Sequence, residues 1–312
     1  MFAAVFAALG QIFAIMQEIV TQHIGNMNRD MGKVVNFIRL LDMQEHTGTE
    51  GETDFARGVA AKDISFTYPG RDKPAIKNVS LEIAEGETIA IVGENGAGKS
   101  TLVRLLTGIY RPSEGKVFIG GLDTAVASPA SVYKGVSGVF QKYQRYKMTL
   151  KENVAISDVS AEAGAEKIHS VLSEADFEMG DIKLDDMLSP EFGGIDLSGG
   201  QWQRIAIARG LYRVNGFIVL DEPTSAIDPI EETKIYKQFE QLAKGKCAVV
   251  VTHRLGSAKL AHRIVVMDGG EIVDIGTHEE LMSHPGKYAT MWEKQAQWYE
   301  RAEDCVPAQL PV

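Results

Sequence analysis

The sequence predicts an α/β fold with a mostly parallel central sheet and an attached antiparallel β portion, preceded by an N-terminal helix. Short apolar runs at residues 88–92, 217–220 and 248–251 are typical of strands buried on both faces, as in parallel sheets. Stretches with helical spacing lie between these runs, and strands that alternate with helices indicate a parallel sheet covered by helices. Residues 64–68 and 79–83 instead alternate apolar and polar side chains, which is typical of antiparallel strands with one buried face.

The composition indicates a folded protein that does not bind nucleic acid. The chain has 312 residues, of which 45% are hydrophobic, so a packed core is expected. Its formal net charge of −10 repels phosphate backbones, which excludes nucleic acid as a first choice of partner. The two cysteines, Cys247 and Cys305, form no CxxC pattern and indicate a reduced, cytosolic environment without disulfides or a zinc site. Cys247 precedes an apolar run and is expected in the core.

The N-terminal segment is unusually apolar. Among residues 1–20, only Gln11, Gln17 and Glu18 are strongly polar. A membrane-spanning helix needs about 20 mostly apolar residues, so this segment is close to that length. It has no basic region and no clear cleavage site, which argues against a signal peptide. We expect the end of a membrane helix; the alternative is an amphipathic helix buried against a partner.

The composition along the chain divides it into four segments. Helical spacing of apolar residues continues to about residue 45, and a polar, acidic and glycine-containing stretch follows. We therefore predict a helical segment at 1–45, a linker at 46–58, the main domain at 59–300 and a tail at 301–312.

Two local signals lie in the C-terminal half of the main domain. Asp228 and Pro229 form a good N-cap and first-turn pair, so a helix is expected to begin there. Asp268, Gly269 and Gly270 stand between two apolar segments and predict a β-hairpin.

Residues 93–100 read GENGAGKS and match the pattern GxxxxGK[ST] between a predicted buried strand and a helix. Glycines let the backbone curl so that its N–H groups face a phosphate, and the helix N-terminus adds positive potential. Lys99 is expected on the β- and γ-phosphates, and the Ser100 hydroxyl on Mg²⁺. The expected nucleotide contacts of this loop are Gly93, Asn95, Gly96, Gly98, Lys99, Ser100 and Thr101.

Two carboxylates, Asp221 and Glu222, follow the apolar run 217–220. If this strand neighbours the phosphate loop, one carboxylate helps to hold Mg²⁺ and the next polarises the attacking water. An apolar strand that ends in acids is a weak signal alone, but it becomes strong together with the phosphate loop.

Residues 197–201 read LSGGQ and stand at the start of a predicted helix, which makes a second anion site. One nucleotide does not need two such sites from one chain. The motif resembles the signature sequence of ABC-type ATPases. In that family two subunits stack head to tail, and the signature of one caps the γ-phosphate held by the phosphate loop of the other.

Other positions resemble that family in the same order along the chain. Tyr68 in FTYPG resembles the aromatic residue that stacks on adenine, and residues 225–228 resemble the loop that crosses the dimer interface. Gln141 in VFQK resembles the glutamine that contacts Mg²⁺ and water and senses the membrane domain. His253 in VVVTHR resembles the switch histidine at the γ-phosphate. Each of these residues taken singly is more often structural, but their order around two anchored motifs favours the functional interpretation.

The resemblance covers about residues 56–295 and implies an ABC cassette of the P-loop NTPase class, with a helical signature subdomain beside the two β portions. Its implied ligands are ATP and Mg²⁺. The implied catalytic residues are Glu222, His253 and Gln141. The implied metal ligands are Ser100, Gln141 and Asp221. The implied contacts to the opposite subunit's nucleotide come from Ser198, Gly199, Gly200 and Gln201.

The resemblance extends to exporters in particular. Residues 267–282 are similar to the end of exporter-type ATPase domains, and residues 192–213 resemble bacterial peptide exporters, including the lantibiotic type. This implies that 1–45 is the end of a transmembrane domain and that the ATPase domain lies on the cytoplasmic side of the cell membrane. The implied partners are a second ATPase subunit, identical or related, and a transmembrane domain, for which the basic and aromatic segment 142–147 is the expected docking surface. The alternative is a soluble ABC ATPase with a non-transport role.

Overall fold

The structure is a computed structural model, and it describes residues 2–20, 25–43, 47–140, 142–159, 164–213, 216–221, 239 and 243–304. The chain divides into two compact units, Met1–Thr47 and Gly48–Val312. The predicted helix start at Asp228 and Pro229 lies outside the described residues.

The smaller unit consists of two helices, α1 (Phe2–Glu18) and α2 (Gly25–Leu41). Large apolar side chains along both helices are exposed; Phe6 and Phe13 of α1, for example, are 77% and 76% exposed. Within the described ranges, no helix combines the length and the apolar content that crossing a membrane requires.

The central sheet of the larger unit has six strands in the order β10-β9-β3-β8-β7-β6. The strands from β9 to β6 run parallel, and β10 is antiparallel to β9. This confirms the predicted mostly parallel sheet, and the β9–β10 hairpin confirms the turn predicted at residues 268–270. The strands are β3 (Thr88–Gly93), β6 (Val136–Phe140), β7 (Phe217–Asp221), β8 (Cys247–Val251), β9 (Arg263–Asp268) and β10 (Glu271–Gly276).

A separate four-stranded sheet in the order β2-β1-β4-β5 confirms the predicted antiparallel portion. Strand β2 buries every apolar side chain that the alternation placed on one face, including Val79, Leu81 and Ile83. The strands are β1 (Val59–Phe66), β2 (Ile76–Ile83), β4 (Glu114–Ile119) and β5 (Leu122–Asp123).

Both faces of β3 are buried, which explains its uninterrupted apolar run. Ile89 and Ile91 point into a core shared with the antiparallel sheet, whereas Ala90 and Val92 point into a core on the opposite face. Cys247 lies in the first of these cores, fully buried as predicted, and burial raises the pKa of its thiol to about 11.

Helices cover the sheets and form the helical subdomain between β6 and β7. Helix α7 begins with a capping box formed by Ser198 and Gln201. The described helices of the larger unit are α3 (Lys99–Leu106), α4 (Pro129–Lys134), α5 (Leu150–Ala155), α6 (Ala165–Glu174), α7 (Gly199–Tyr212), α8 (Leu255–Ala258), α9 (His278–Met282) and α10 (Lys287–Asp304).

The segment predicted as a linker runs against the antiparallel sheet from residue 48 onwards. The Thr49 amide donates to the Val126 carbonyl at 2.8 Å, and the Asp54 amide donates to the Gly120 carbonyl at 2.9 Å. The ring of Phe55 packs against the core. The domain boundaries at 45, 58 and 300 stay predictions.

A buried polar network holds the segment that follows β6. Asn153 is fully buried, and its Nδ2 donates at 3.0–3.1 Å to three backbone carbonyls, those of Tyr146, Met148 and Thr149. Its Oδ1 accepts from the Arg209 guanidinium at 2.5 Å. Burial lowers the pKa of Arg209, because desolvation disfavours its charged form. The network thereby ties α5 and α7 to each other and to the segment between β6 and α5.

The substitution Asn153→Ala is expected to lower the free energy of unfolding by about 2–3 kcal/mol, because buried carbonyls and a buried cation lose their partner. Urea denaturation of the full chain measures the change. The matched control is Ser170→Ala, which removes only an exposed hydrogen bond to Glu174 and should change stability by less than about 0.5 kcal/mol. Equal urea midpoints for Asn153→Ala and the unmodified chain would contradict the role given to this network.

Candidate nucleotide-binding site

The phosphate loop leaves the carboxyl end of β3 and enters α3, the position at which open α/β sheets bind ligands. Two of its glycines are required by their surroundings. Gly93 and Gly98 have φ angles of 154° and 103°, which L side chains rarely adopt. A Cβ atom at Gly93 would lie 2.4 Å from the Met267 carbonyl oxygen, and one at Gly98 would lie 2.9 Å from that of Ala75.

The side chain of Lys99 curls back into this loop. Its Nζ donates to the carbonyl oxygens of Gly93 at 2.8 Å and Glu94 at 3.1 Å, and the residue is only 5% exposed. The cation therefore lies inside the curl that the glycines form. A positive charge with backbone N–H groups around it is the arrangement that binds a phosphate chain.

Ser100 and Asp221 come together from α3 and from the end of β7. The Ser100 hydroxyl donates to Asp221 Oδ1 at 3.4 Å, and Asp221 is buried. Both lie on an open cleft of about 400 Å³ that Phe140 and Lys142 also line. Mg²⁺ prefers oxygen ligands and is usually held by one or two carboxylates together with substrate phosphates. The hydroxyl and carboxylate fit that ion.

Tyr68 lies beside the phosphate loop, just after β1. Its hydroxyl makes a hydrogen bond of 2.9 Å with Thr101 Oγ1, and its ring meets Phe66 edge to face at 5.0 Å. A cleft of about 440 Å³ runs from this ring along the loop to Lys99. It is lined by Tyr68, Ala75, Asn95, Gly96, Gly98, Lys99, Ser100 and Thr101. The structure therefore gathers the predicted aromatic residue and the predicted phosphate ligands around one cleft.

The LSGGQ motif lies outside the cleft around Lys99, at the start of α7. Leu197 is buried in the helical subdomain, whereas Ser198, Gly199 and Gly200 are exposed at the start of α7. Ser198 Oγ accepts from the Gln201 amide at 3.2 Å, which fixes the first turn of the helix. The described lining of the Lys99 cleft includes no residue of this motif.

Three predicted sites lie outside the described residues: Gln141, Glu222 and the interface loop 225–228. The residues just before the first two, Phe140 and Asp221, are register partners in the adjacent strands β6 and β7.

His253 follows β8 and is exposed. Because β8 lies between β3 and β7, the chain leaves it at the same edge of the sheet as the phosphate loop and Asp221. Thr252 shapes the turn here, since its Oγ1 accepts from the Arg254 amide at 3.0 Å.

Sequence reasoning missed two residues of α10 that contact these loops. Lys287 Nζ lies 3.2 Å from Glu94 Oε1 of the phosphate loop and 3.2 Å from Asp268 Oδ2. Hydrogen bonds to Glu94 and then to Asp268 raise the pKa of Lys287. Gln295 contacts the backbone of the His253 turn. A lysine and a glutamine in a C-terminal helix have no motif that would have singled them out.

The profile of the family described as ABC transporter matches residues 76–225. The chain is 38% identical over 286 residues to the subtilin transport ATP-binding protein SpaT of Bacillus subtilis, which covers 89% of this chain and 47% of that protein. It is 35% identical over 298 residues to the ATP-dependent lipid A-core flippase of Photobacterium profundum, which covers 93% of this chain and 50% of the flippase.

Among solved structures, a bacterial Atm1-family ABC exporter with ATP bound matches with a TM-score of 0.74 and 27% identity, over 96% of this chain and 52% of the exporter. The chain thus spans about half the length of these relatives. These relatives support the exporter interpretation over an ABC ATPase with a non-transport role. The chain belongs to the ABC transporter family, and its larger unit is an ATPase domain of the ABC type.

Proposed function

We propose that this chain binds MgATP in the cleft around Lys99 and hydrolyses it, within a head-to-tail dimer, to power export across a membrane. The observation that carries the proposal is the grouping of Lys99, Ser100 and Asp221 at one edge of the central sheet. The two named relatives are a transport ATP-binding protein and an ATP-dependent flippase, which supports export as the work that hydrolysis drives.

The cleft offers a distinct environment to each part of the nucleotide. The ring of Tyr68 stacks on the adenine at one end, and the loop N–H groups and Lys99 bind the phosphates at the other. Ser100, Asp221 and Gln141 hold Mg²⁺, which when bound neutralises charge on the β- and γ-phosphates. Glu222 orients the attacking water and accepts its proton, and His253 contacts the γ-phosphate.

A second chain completes the site. The exposed Ser198, Gly199 and Gly200 lie at a helix N-terminus, where backbone N–H groups favour an anion. Since this motif is apart from the described Lys99 cleft, a partner arranged head to tail supplies it to the nucleotide. A two-fold axis makes the same contact twice, so one dimer holds two composite sites.

A groove beside the edge strand β6 supports docking of a transmembrane domain. It has a volume of about 350 Å³ and is lined by β6, by the segment that follows it and by α7. Its charged lining residues are Lys142, Arg209 and Arg213. The exposed apolar side chains of α1 and α2 support membrane association of the smaller unit. In the proposed arrangement, the ATPase domain lies on the cytoplasmic side of the cell membrane.

The substitution Lys99→Met is expected to reduce ATP hydrolysis by about 10²-fold or more, because it removes a preorganised charge from the transferred phosphate. Steady-state phosphate release measures the rate, and a fluorescent ATP analogue measures binding. Lys134→Met, on the exposed face of α4, is the matched control and should hydrolyse ATP like the unmodified chain. A Lys99→Met rate equal to that of the control would exclude this cleft as the catalytic site.

The substitution Glu222→Gln should leave ATP binding intact and abolish turnover, because an amide does not accept the proton of the attacking water. Without turnover, ATP should trap the dimer, so light scattering in the presence of MgATP should show twice the mass of the chain. Glu178→Gln, an exposed change in the helical subdomain, is the control. Unchanged turnover in Glu222→Gln would remove Glu222 from the role of base.

Mixing two inactive variants tests the composite site. Lys99→Met destroys the phosphate loop of one chain, and Ser198→Arg blocks the signature of the other. A mixture should recover about a quarter of the normal rate, because half of the dimers contain both variants and keep one intact site. Each variant alone should stay inactive at the same total concentration. No recovery on mixing would contradict the head-to-tail arrangement.

A further inference from the structure

The C-terminal helix α10 packs beside the turn that contains His253. Its residues Tyr288, Met291 and Trp292 recur at the three- and four-residue spacing of one helical face. They join a core with Leu255 and Ala258 of α8, the helix that follows the turn. This face of α10 therefore packs against α8, the helix that follows the His253 turn.

Gln295 continues this face, four residues after Met291 and three after Trp292. Its Oε1 accepts from the Leu255 amide at 3.0 Å, and its Nε2 donates to the His253 carbonyl oxygen. One side-chain amide thus binds a backbone acceptor and a backbone donor two residues apart in the same turn.

Thr252, the residue before His253, also contacts the backbone around the turn. The Thr252 amide donates to the Ile91 carbonyl at 3.3 Å, and Thr252 Oγ1 accepts from the Arg254 amide. Thr252 therefore fixes the turn to β3 from one side, and Gln295 fixes it to α10 from the other. Two anchors on either side of His253 restrict the direction in which its Cα–Cβ bond points.

We propose that Gln295 is a positioning residue for His253: by holding the backbone of the turn, it directs the imidazole towards the γ-phosphate of the bound nucleotide. This inference rests on the proposed function of His253. Gln295 itself does not touch the nucleotide in this scheme. Loss of its two hydrogen bonds would let the turn sample other conformations, and fewer chains would present the imidazole in the reactive geometry.

An ion pair connects the same helix to the phosphate loop. Lys287, in the first turn of α10, lies 3.2 Å from Glu94. Gln295 follows it by eight residues, about 12 Å along the helix axis. The helix therefore contacts both the phosphate loop, through Lys287, and the His253 turn, through Gln295.

Three variants of the full chain test the role of Gln295. Gln295→Met keeps the volume but loses both hydrogen bonds. Gln295→Glu accepts from the Leu255 amide but does not donate to the His253 carbonyl. Lys294→Met, an exposed change on the same helix, is the matched control. Unchanged urea midpoints establish that the variants are folded.

In ATP hydrolysis, we expect Gln295→Met and Gln295→Glu to lower kcat about tenfold while KM for ATP changes less than twofold, because positioning acts on the reactive geometry. In a His253→Ala background, Gln295→Met should cause no further loss. An equal loss of kcat with and without His253 would show that Gln295 acts only on the fold, and an unchanged kcat would overturn the proposal outright.

Hydrogen exchange without nucleotide provides a readout that does not depend on turnover. In Gln295→Met, the amide of Leu255 should exchange faster, whereas Gln295→Glu should protect it like the unmodified chain. Unchanged exchange in Gln295→Met would overturn the proposed hold on the turn. If instead the exchange result holds but His253→Ala hydrolyses ATP at the normal rate, the failure lies in the role proposed for His253.

Discussion

The parallel pairing of β3, β8 and β7 is the constraint on which the nucleotide site depends. Parallel strands end at the same edge, so the phosphate loop, His253 and Asp221 all leave the sheet on one side. The pairing also sets the distance between Ser100 and Asp221, which are 121 residues apart in sequence. Both faces of these strands are buried, so their apolar side chains pack alternately into the cores on the two sides of the sheet.

The larger unit keeps two predicted nucleotide-binding motifs apart. Residues predicted to bind phosphate line the Lys99 cleft, whereas the LSGGQ motif is exposed at the start of α7. The Asn153–Arg209 network fixes α7 to α5 and to the segment after β6, so the motif and the groove beside β6 belong to one packed subdomain. A partner that displaces this subdomain would therefore move the motif with it, which is how a docked membrane domain and an ATP site communicate in the proposed function.

The C-terminal helix α10 adds a further connection to the loops at the edge of the sheet. Apolar packing by Tyr288 and Trp292 sets its position, and the polar contacts of Lys287 and Gln295 are consequences of that packing. Hydrogen bonds from a packed helix to a loop restrict the loop without placing a new group in the cleft. The geometry of the His253 turn therefore depends on residues that are far in sequence from the motifs at the sheet edge.

The sequence by itself determined the strand runs, the hairpin at residues 268–270, the glycine loop and the order of the motifs. These features depend on neighbours in the chain: burial on two faces requires a continuous apolar run, and a φ angle such as that of Gly98 requires glycine. Only the tertiary structure decided that residues 48–58 run against the antiparallel sheet and that Gln295 reaches the turn 42 residues before it. Such contacts arise from packing between distant elements, and the types of the two residues alone do not reveal which side chains will meet.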